Sequence, residues 1–337
     1  MPARRAAVTH EPAPEPGLAS PSIASLNTVP HRKPQMTTVR KKRSLEARRN
    51  SWGWFFVAPG ILFFSTFSLY PICNALWTSF HNKKLLSLKP PKFIGLQNYA
   101  KVLSSPDFWN SVRASATFCL GVFLPIFIAS LLFGVLIASR TRGRRFYQLA
   151  LYSPAILSSV VTASVWAIMF DPRGLANQLV NGLMGTPGID RRWLADSTMV
   201  QISTMLVYIW KTVGYYTILF VTGIGKIPAS VIEASIIDGA NPWQRLTRIT
   251  MPLLKPTMAL VSVMIFIGSL KTFSTQYLFT QRGAPLEPIN VLTLNIYNTA
   301  LYEQNLGRAS VMSLLLFATL LVLSGIQVKA AGSGEDM

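Results

Sequence analysis

The stretch EASIIDGANPWQRLTRITMPLLKP covers Glu233–Pro256 and lies between two long apolar runs. Its first part mixes polar and apolar residues up to Gly239, a residue that permits a sharp turn or a close backbone approach. Asn241 and Pro242 then give a helix-start signal, because asparagine caps helices and proline suits the first turn. The pattern predicts two short helices joined at a glycine.

The second of these helices has Leu246 and Ile249 on one face. Pro252 and Pro256 are expected to end the unit before the next apolar run. Capped helices about a glycine differ from an ordinary irregular loop, and apolar residues beside the turn suit a partner protein's groove. We interpret residues 228–256 as a docking element, with a re-entrant or merely solvated loop as the alternative.

The rest of the chain is strongly apolar. Its 337 residues are 50% hydrophobic and 13% charged, and the mean hydropathy is +0.36. Six apolar runs are each long enough to cross about 30 Å of hydrocarbon as a helix. They are Trp54–Phe80, Ser111–Ser139, Leu149–Phe170, Val200–Ile224, Thr257–Thr280 and Ala309–Val328. The sequence therefore predicts an all-α membrane protein with six transmembrane helices and the docking element between the fourth and fifth spans.

Basic residues predict the orientation of these spans. Residues 1–50 carry ten Lys and Arg, and their composition predicts a disordered tail. The loop Arg140–Arg145 and the segment after the fourth span are also basic, so these regions are expected in the cytoplasm with both termini. Five lysines of the first external loop oppose this rule: Lys83, Lys84, Lys89, Lys92 and Lys101. The predicted domains are the tail, a permease domain over 51–328, and a short cytoplasmic tail over 329–337.

Several classes of function are disfavoured. The net charge is +19, and the basic residues cluster at span ends and in the tail. This distribution is typical of a membrane protein and not of a nucleic-acid-binding one. Cys73 and Cys119 lie in apolar runs and are interpreted as small buried hydrophobes. We find no motif for a catalytic site, a metal site or a nucleotide-binding loop. No cofactor is therefore expected on this chain, and any ATP must be used by another one.

The opening stretch resembles the EAA loop of ABC importer permeases, with the pattern E-A-A-x-x-D-G-A, a bulky apolar residue, and I-x-L-P-x-x-x-P. The positions that match are Glu233, Ala234, Asp238, Gly239, Ala240, Ile249, Pro252 and Pro256. Ser235, Leu246 and Met251 replace the usual alanine, phenylalanine and leucine. The motif is long and precedes the penultimate span, as in that family.

Other segments are similar to the carbohydrate-uptake branch. They are TGIGKIPASVIEAS before the docking element, FIGLQNY (Phe93–Tyr99) and YLFTQRGAP (Tyr277–Pro285), where Arg282 replaces a glycine. The resemblance covers roughly residues 52–328. It is similar to the first of two maltose-type permeases, which pairs with a second permease.

The resemblance implies a mechanism. The loop docks on one of two cytoplasmic ATPase subunits, which bind ATP and Mg, and an extracytoplasmic binding protein delivers the solute. The coupling residues implied are Glu233, Ala234, Ser235, Asp238, Gly239, Ala240, Leu246, Ile249 and Pro252. Glu233 is expected to make polar contacts, whereas Asp238 could instead cap the following helix.

Polar residues inside the spans are candidates for the solute path, because ionisable groups in a bilayer are costly and usually functional. The candidates are Trp210, Lys211, Tyr215, Lys271, Gln276 and Tyr277. Their aromatic faces and hydrogen-bonding groups suit a sugar. The alternative is that they join this chain to the second permease.

We therefore interpret the chain as a multi-pass permease subunit of an ABC importer for a sugar or oligosaccharide, in the bacterial inner membrane. A permease for glycerol 3-phosphate or another non-sugar solute is the nearer alternative. An ion-gradient-driven transporter usually carries membrane-embedded carboxylates, which the spans lack, and a non-transporting scaffold would not need the docking element.

Overall fold

The computed structural model describes residues 54–139 and 142–332. The predicted basic tail over 1–50 lies outside the described residues, as do Arg140 and residues 333–337 of the predicted C-terminal tail. The chain divides into two units, Met1–Leu62 and Phe63–Met337. Of the first unit, residues 54–62 are described; they are helical and exposed. All packing described below belongs to the second unit.

The described residues are mostly helical, which confirms the predicted class. The first half contains α1 (Trp54–Ser79, with a π-helical turn at Ser65–Leu69), α2 (Gln97–Leu103), α3 (Pro106–Ala138), α4 (Arg144–Ile156), α5 (Ser159–Met169) and α6 (Leu175–Met184). The second half contains α7 (Ser197–Ile224), α8 (Ala229–Ile237), α9 (Pro242–Arg245), α10 (Met251–Leu253), α11 (Lys255–Leu270), α12 (Ser274–Gln281), α13 (Leu292–Leu301) and α14 (Leu306–Gly332). A π-helical turn covers Leu246–Thr250, and a 3-10 turn covers Glu287–Ile289.

One small sheet was not predicted. β1 (His81–Asn82) and β2 (Lys92–Phe93) pair antiparallel after α1. The buried Asn98 side chain on α2 holds this corner, because its Nδ2 donates to the backbone oxygens of Ser79 at 2.8 Å and His81 at 3.0 Å.

Five helical stretches of the described chain are long and apolar enough to cross a membrane, and a bent helix pair brings the number to six. The five are α1, α3, α7, the stretch Lys255–Gln281 and α14 through Gln327. The predicted Ala309–Val328 span ends inside α14, since that helix runs on to Gly332. The predicted tail therefore begins within a helix.

The predicted third span, Leu149–Phe170, is a sharply bent helix pair. α4 and α5 are separate helices that meet at 95°. Pro154 lies in the last turn of α4, where a missing N–H and ring clashes weaken a helix. Leu157 is extended, and the Ser158 hydroxyl accepts from the Val161 backbone N–H at 3.3 Å to start α5 afresh.

The predicted span Thr257–Thr280 is also interrupted, because residues 271–273 are not helical. The turn separates α11 from α12, and Phe273, just before α12, has a non-helical backbone at φ −150°. Lys271 in this turn is exposed. The helices on either side of the turn, α11 and α12, pack against different sets of helices.

α7 is the central helix of the second unit and packs against α3, α4 and α11. The core there includes Val122, Ile126, Phe220, Val261 and Ile265, all of them buried. Small residues allow the close approach of helices that is common in membrane proteins. The tightest case is Gly214, where an added Cβ would lie 1.7 Å from the carbonyl oxygen of Leu151 on α4.

A second apolar cluster packs α5 and α12 against the segment that joins α5 to α7. Trp193 is buried in it, and its indole Nε1 donates to Asn177 Oδ1 at 2.8 Å. Asn177 Nδ2 in turn donates to the backbone oxygen of Pro172. These bonds order the connection between the bent pair and the central helix.

Candidate functional site

The end of α8 has the geometry of a Schellman turn. Gly239 has φ +78°, and its N–H donates to the Ile236 oxygen at 3.1 Å. The Ala240 N–H donates to the Ser235 oxygen at 3.0 Å, so the last carbonyls of the helix are satisfied. The glycine supplies a left-handed backbone conformation that most side chains disfavour.

A capping box starts α9. Asn241 Oδ1 accepts from the Gln244 N–H at 2.8 Å, and Gln244 Oε1 accepts from the Asn241 N–H at 3.0 Å. The predicted cap role of Asn241 and the first-turn position of Pro242 are confirmed. The alternative that Asp238 caps this helix is wrong, because Asn241 occupies the cap and Asp238 is the C-cap residue that follows α8.

The predicted coupling residues differ in exposure. Glu233, Ala234, Asp238, Gly239 and Pro252 are exposed; Ala240, Leu246 and Ile249 are half-buried; Ser235 is buried. The Ser235 hydroxyl donates to the Ile232 backbone oxygen at 2.6 Å and so faces its own helix.

Large apolar side chains beside the turn are exposed. Ile237 is 85% exposed and Trp243 is 69% exposed, one on each side of Gly239. Neither residue was predicted as part of the site. Trp243 follows the Asn-Pro cap directly, so a tryptophan in the first turn of a polar helix was the available signal.

The expectation that Pro252 and Pro256 end the unit is wrong. Pro252 lies at the start of α10 and Pro256 at the start of α11. Leu254 between them keeps a right-handed helical backbone at φ −86°, and its N–H donates to the Thr250 oxygen. The chain therefore runs from α9 through the π-helical turn into α11 with short helical steps, because proline is tolerated in the first turn of each.

Three of the predicted solute-path residues lie on α7. Lys211 Nζ donates to Ser159 Oγ at 2.8 Å, at the bend between α4 and α5. Trp210 packs edge-on against Trp166 of α5, with ring centroids 5.5 Å apart. Tyr215 lines a cavity between α4 and α7. The lysine and tryptophan therefore meet the bent pair, a contact that sequence reasoning did not find.

The other three lie at and after the α11–α12 break. Lys271 is exposed and lines a groove between α11 and α14. Gln276 is fully buried; its Oε1 accepts from Thr272 Oγ1 at 3.1 Å, and its Nε2 has no partner among the described residues. Tyr277 stacks on Phe273, with ring centroids 5.3 Å apart.

The six residues therefore do not line one cavity. Tyr215 faces the α4–α7 cavity, Lys271 the α11–α14 groove, and Gln276 a small cavity beside α3. Tyr297 on α13 contacts Tyr277. The two rings pack edge-on, with ring centroids 5.1 Å apart.

Comparison with known proteins gives the family. A family model described as "Binding-protein-dependent transport system inner membrane component" matches residues 130–330, more than half of the chain. The match includes the bent pair, α7 and the whole predicted docking element.

Two relatives align with this chain over nearly their full length. The "Probable starch degradation products transport system permease protein AmyD" of Thermoanaerobacterium thermosulfurigenes is 28% identical over 85% of this chain and 96% of its own. The "Lactose transport system permease protein LacF" of Rhizobium radiobacter is 30% identical over 83% of this chain and 93% of its own.

A solved structure shares the fold. One chain of a bacterial alginate ABC transporter, crystallised with a periplasmic protein that binds alginate pentasaccharide, superposes with a TM-score of 0.70. It is 21% identical and the match covers 84% of this chain and 94% of that one.

The helical membrane architecture, the family model and these relatives confirm the predicted resemblance. The chain belongs to the family of inner membrane components of binding-protein-dependent transport systems, the permease subunits of ABC importers.

Proposed function

We propose that this chain is one of two permease subunits of an ABC importer that carries a sugar or oligosaccharide across the bacterial inner membrane. Relatives named for starch products and for lactose support the carbohydrate assignment. The family's dependence on a binding protein supports an extracytoplasmic partner that delivers the solute. A second permease completes the path, and two ATPase subunits use ATP and Mg.

One observation carries the coupling role. The segment 228–256 combines a closed turn at Gly239 with exposed Ile237 and Trp243. Exposed aromatic and apolar side chains on an ordered element suit a partner's groove, and such residues provide much of the binding energy at interfaces. The partner whose groove receives these side chains is the cytoplasmic ATPase. Glu233 adds a polar contact at the edge of this contact surface.

Orientation follows from the basic residues near this segment. Arg142 precedes α4, Arg144 and Arg145 start it, and Arg245 and Arg248 follow the Gly239 turn. If α4 and α5 together form the third span, both groups lie on one side of the membrane with both termini, and the positive-inside rule makes that side cytoplasmic.

The test is purification of the complex through an affinity tag on this chain, expressed with its neighbouring genes. ATP hydrolysis is then measured in lipid nanodiscs. We expect an ATPase and a second permease to copurify. The double variant Ile237→Ala/Trp243→Ala should reduce the copurified ATPase at least about tenfold.

Leu183→Ala is the matched control, because Leu183 is 87% exposed on α6, far along the chain from the segment. It should copurify the ATPase as the unchanged chain does. Retention of the ATPase by the double variant would refute the coupling role. Absence of any ATPase with the unchanged chain would refute the importer assignment itself.

A further inference from the structure

The bent pair and its neighbours bring cationic side chains into one line. Arg282, just after α12, donates from Nη2 to Ser164 Oγ at 3.3 Å. Lys211 on α7 donates to Ser159 Oγ at 2.8 Å. Both serines belong to α5, and five residues of helix separate them by about 7–8 Å along its axis. The two cations therefore follow each other along α5.

The line continues past the bend. Tyr215 lies one helical turn beyond Lys211 on α7 and lines a cavity of about 420 Å³. Arg145, Gln148 and Tyr152 of α4 line the same cavity, so Arg145 is the next cation after Lys211. The order along the bent pair is Arg282, Lys211 and Arg145.

Aromatic rings lie beside these charges. Trp166 of α5 packs edge-on against Trp210, the residue before Lys211, and Tyr152 and Tyr215 line the cavity that Arg145 also lines. Flat apolar faces beside polar groups are typical of sites that bind sugar rings, since they remove apolar C–H surface from water.

Carboxylates do not neutralise this line within the part of the chain that the structure describes. The salt bridge found there joins Arg308 and Glu303, which are not in the line. Asp171 lines an outer cavity of about 490 Å³ with Arg192 and Arg282, and its Oδ1 accepts a backbone N–H from Arg173 at 3.0 Å. Among the residues that the structure describes, no carboxylate forms an ion pair within 4 Å of Lys211, Arg145 or Arg282.

Lys211 lies midway along the apolar helix α7, where a cation is costly unless it meets an anion, and Arg282 and Arg145 are exposed at helix ends on either side of it. Serine hydroxyls supply hydrogen bonds to Lys211 and Arg282 but no charge. We propose that the transported solute supplies it: a sugar carrying a carboxylate or phosphate group, passed from Arg282 to Lys211 to Arg145. This deepens the proposed function and rests on it.

The experiment uses the intact purified complex in nanodiscs without its binding protein. The probes are trigalacturonate and its methyl ester, which differ in charge and share their ring geometry, and glucose 6-phosphate with glucose. Binding is followed by quenching of tryptophan fluorescence and by titration calorimetry. We expect each anion to bind about tenfold or more tighter than its neutral partner. The two pairs distinguish a carboxylate from a phosphate.

The variants are Lys211→Met, which removes the charge at similar length, and Lys211→Arg, which keeps it. Lys211→Met should remove the preference for the anion, and Lys211→Arg should keep it. Lys101→Met, an exposed lysine on α2, is the control and should bind as the unchanged complex does.

Three binding results would overturn the proposal. They are equal affinity for acid and ester, failure to bind either anion at millimolar concentration, and an anion preference that survives Lys211→Met. Loss of the second permease from the Lys211→Met complex would also overturn it, because the lysine would then pair with that subunit.

These outcomes are separate from failure of the proposed function. ATP hydrolysis and copurification of the ATPase are measured on the same preparation. A complex that hydrolyses ATP and prefers neutral sugars keeps the importer assignment and loses the anionic solute.

Discussion

Two glycines show how differently two regions of this molecule use the same residue. Gly214 lies inside α7, where α4 crosses, and an added Cβ would meet the Leu151 carbonyl oxygen at 1.7 Å. Gly239 lies in the turn after α8, where an added Cβ would meet nothing within 4 Å. Gly239 instead has φ +78°. The first position needs the absence of a side chain, and the second needs a backbone that glycine adopts freely.

Gly214 is required by the packing of two helices, whereas Gly239 is required by the local backbone conformation of a turn. The α4–α7 crossing depends on a residue more than sixty positions away along the chain, whereas the Gly239 turn depends on its immediate neighbours. Substitutions should therefore fail in different ways in the two regions.

The largest effect is expected for Gly214→Ala. The new methyl group would overlap backbone atoms, which cannot rotate away, so α4 and α7 must separate. We expect destabilisation of about 3 kcal/mol, at the upper end of the range for overpacked cores. The measurement is thermal unfolding of the purified complex in detergent.

Gly325→Ala is its control. Gly325 lies in α14 with no atom within 4 Å of an added Cβ. Alanine favours helix over glycine by about 0.5–1 kcal/mol, so this variant should melt at the same temperature or higher. A Gly214→Ala protein that melts like the unchanged one would contradict the crossing described here.

A smaller effect is expected for Gly239→Val. A β-branched residue at positive φ costs about 1–2 kcal/mol, without a clash in this chain. Gly239→Asn should recover most of the loss, because asparagine enters the left-handed region more readily. Melting temperature and ATP hydrolysis of the complex test both variants. Equal behaviour of valine and asparagine would mean that backbone handedness does not control this turn.

Asn241→Ala should cost about 1 kcal/mol, the usual value for a lost helix cap. The effect should be local, so the measurement is hydrogen exchange at the Gln244 amide, which Asn241 now protects. Asp238→Asn is the comparison, since that exposed side chain caps nothing. Faster exchange in both variants would argue against the capping box as the cause.

The smallest effect is expected for Glu303→Gln. It removes the salt bridge to Arg308, which has an Nη2–Oε2 distance of 2.7 Å. Both side chains are partly exposed, so we expect at most about 1 kcal/mol, decreasing with salt. A melting curve at low and high ionic strength tests this, and a salt-independent loss would show a role other than charge pairing.

The same contrast explains what could be predicted from sequence. Apolar spans and the capped start at Asn241 depend on composition and on residues three or four apart, so their existence could be predicted. Pro154 marks a possible kink in the third span, but a proline alone does not fix the 95° angle between α4 and α5.

Contacts between residues far apart in the chain leave no pattern that can be recognised in the sequence. Lys211 was recognised as an ionisable residue in a span, but its partner Ser159 is 52 positions away and could not be named. Gln276 and Tyr277 are adjacent in sequence, yet the turn of an α-helix places one in the core and the other in an aromatic cluster. Which face is buried depends on the neighbouring helices.

The capping box also has a consequence for mechanics. Because Asn241 and Gln244 hold each other's backbone N–H groups, the start of α9 is ordered without help from another chain. A partner that binds Trp243 would therefore lose little binding free energy to ordering the segment. Displacement of that tryptophan would then act on an already folded α9, which continues through the π-helical turn and α10 to α11.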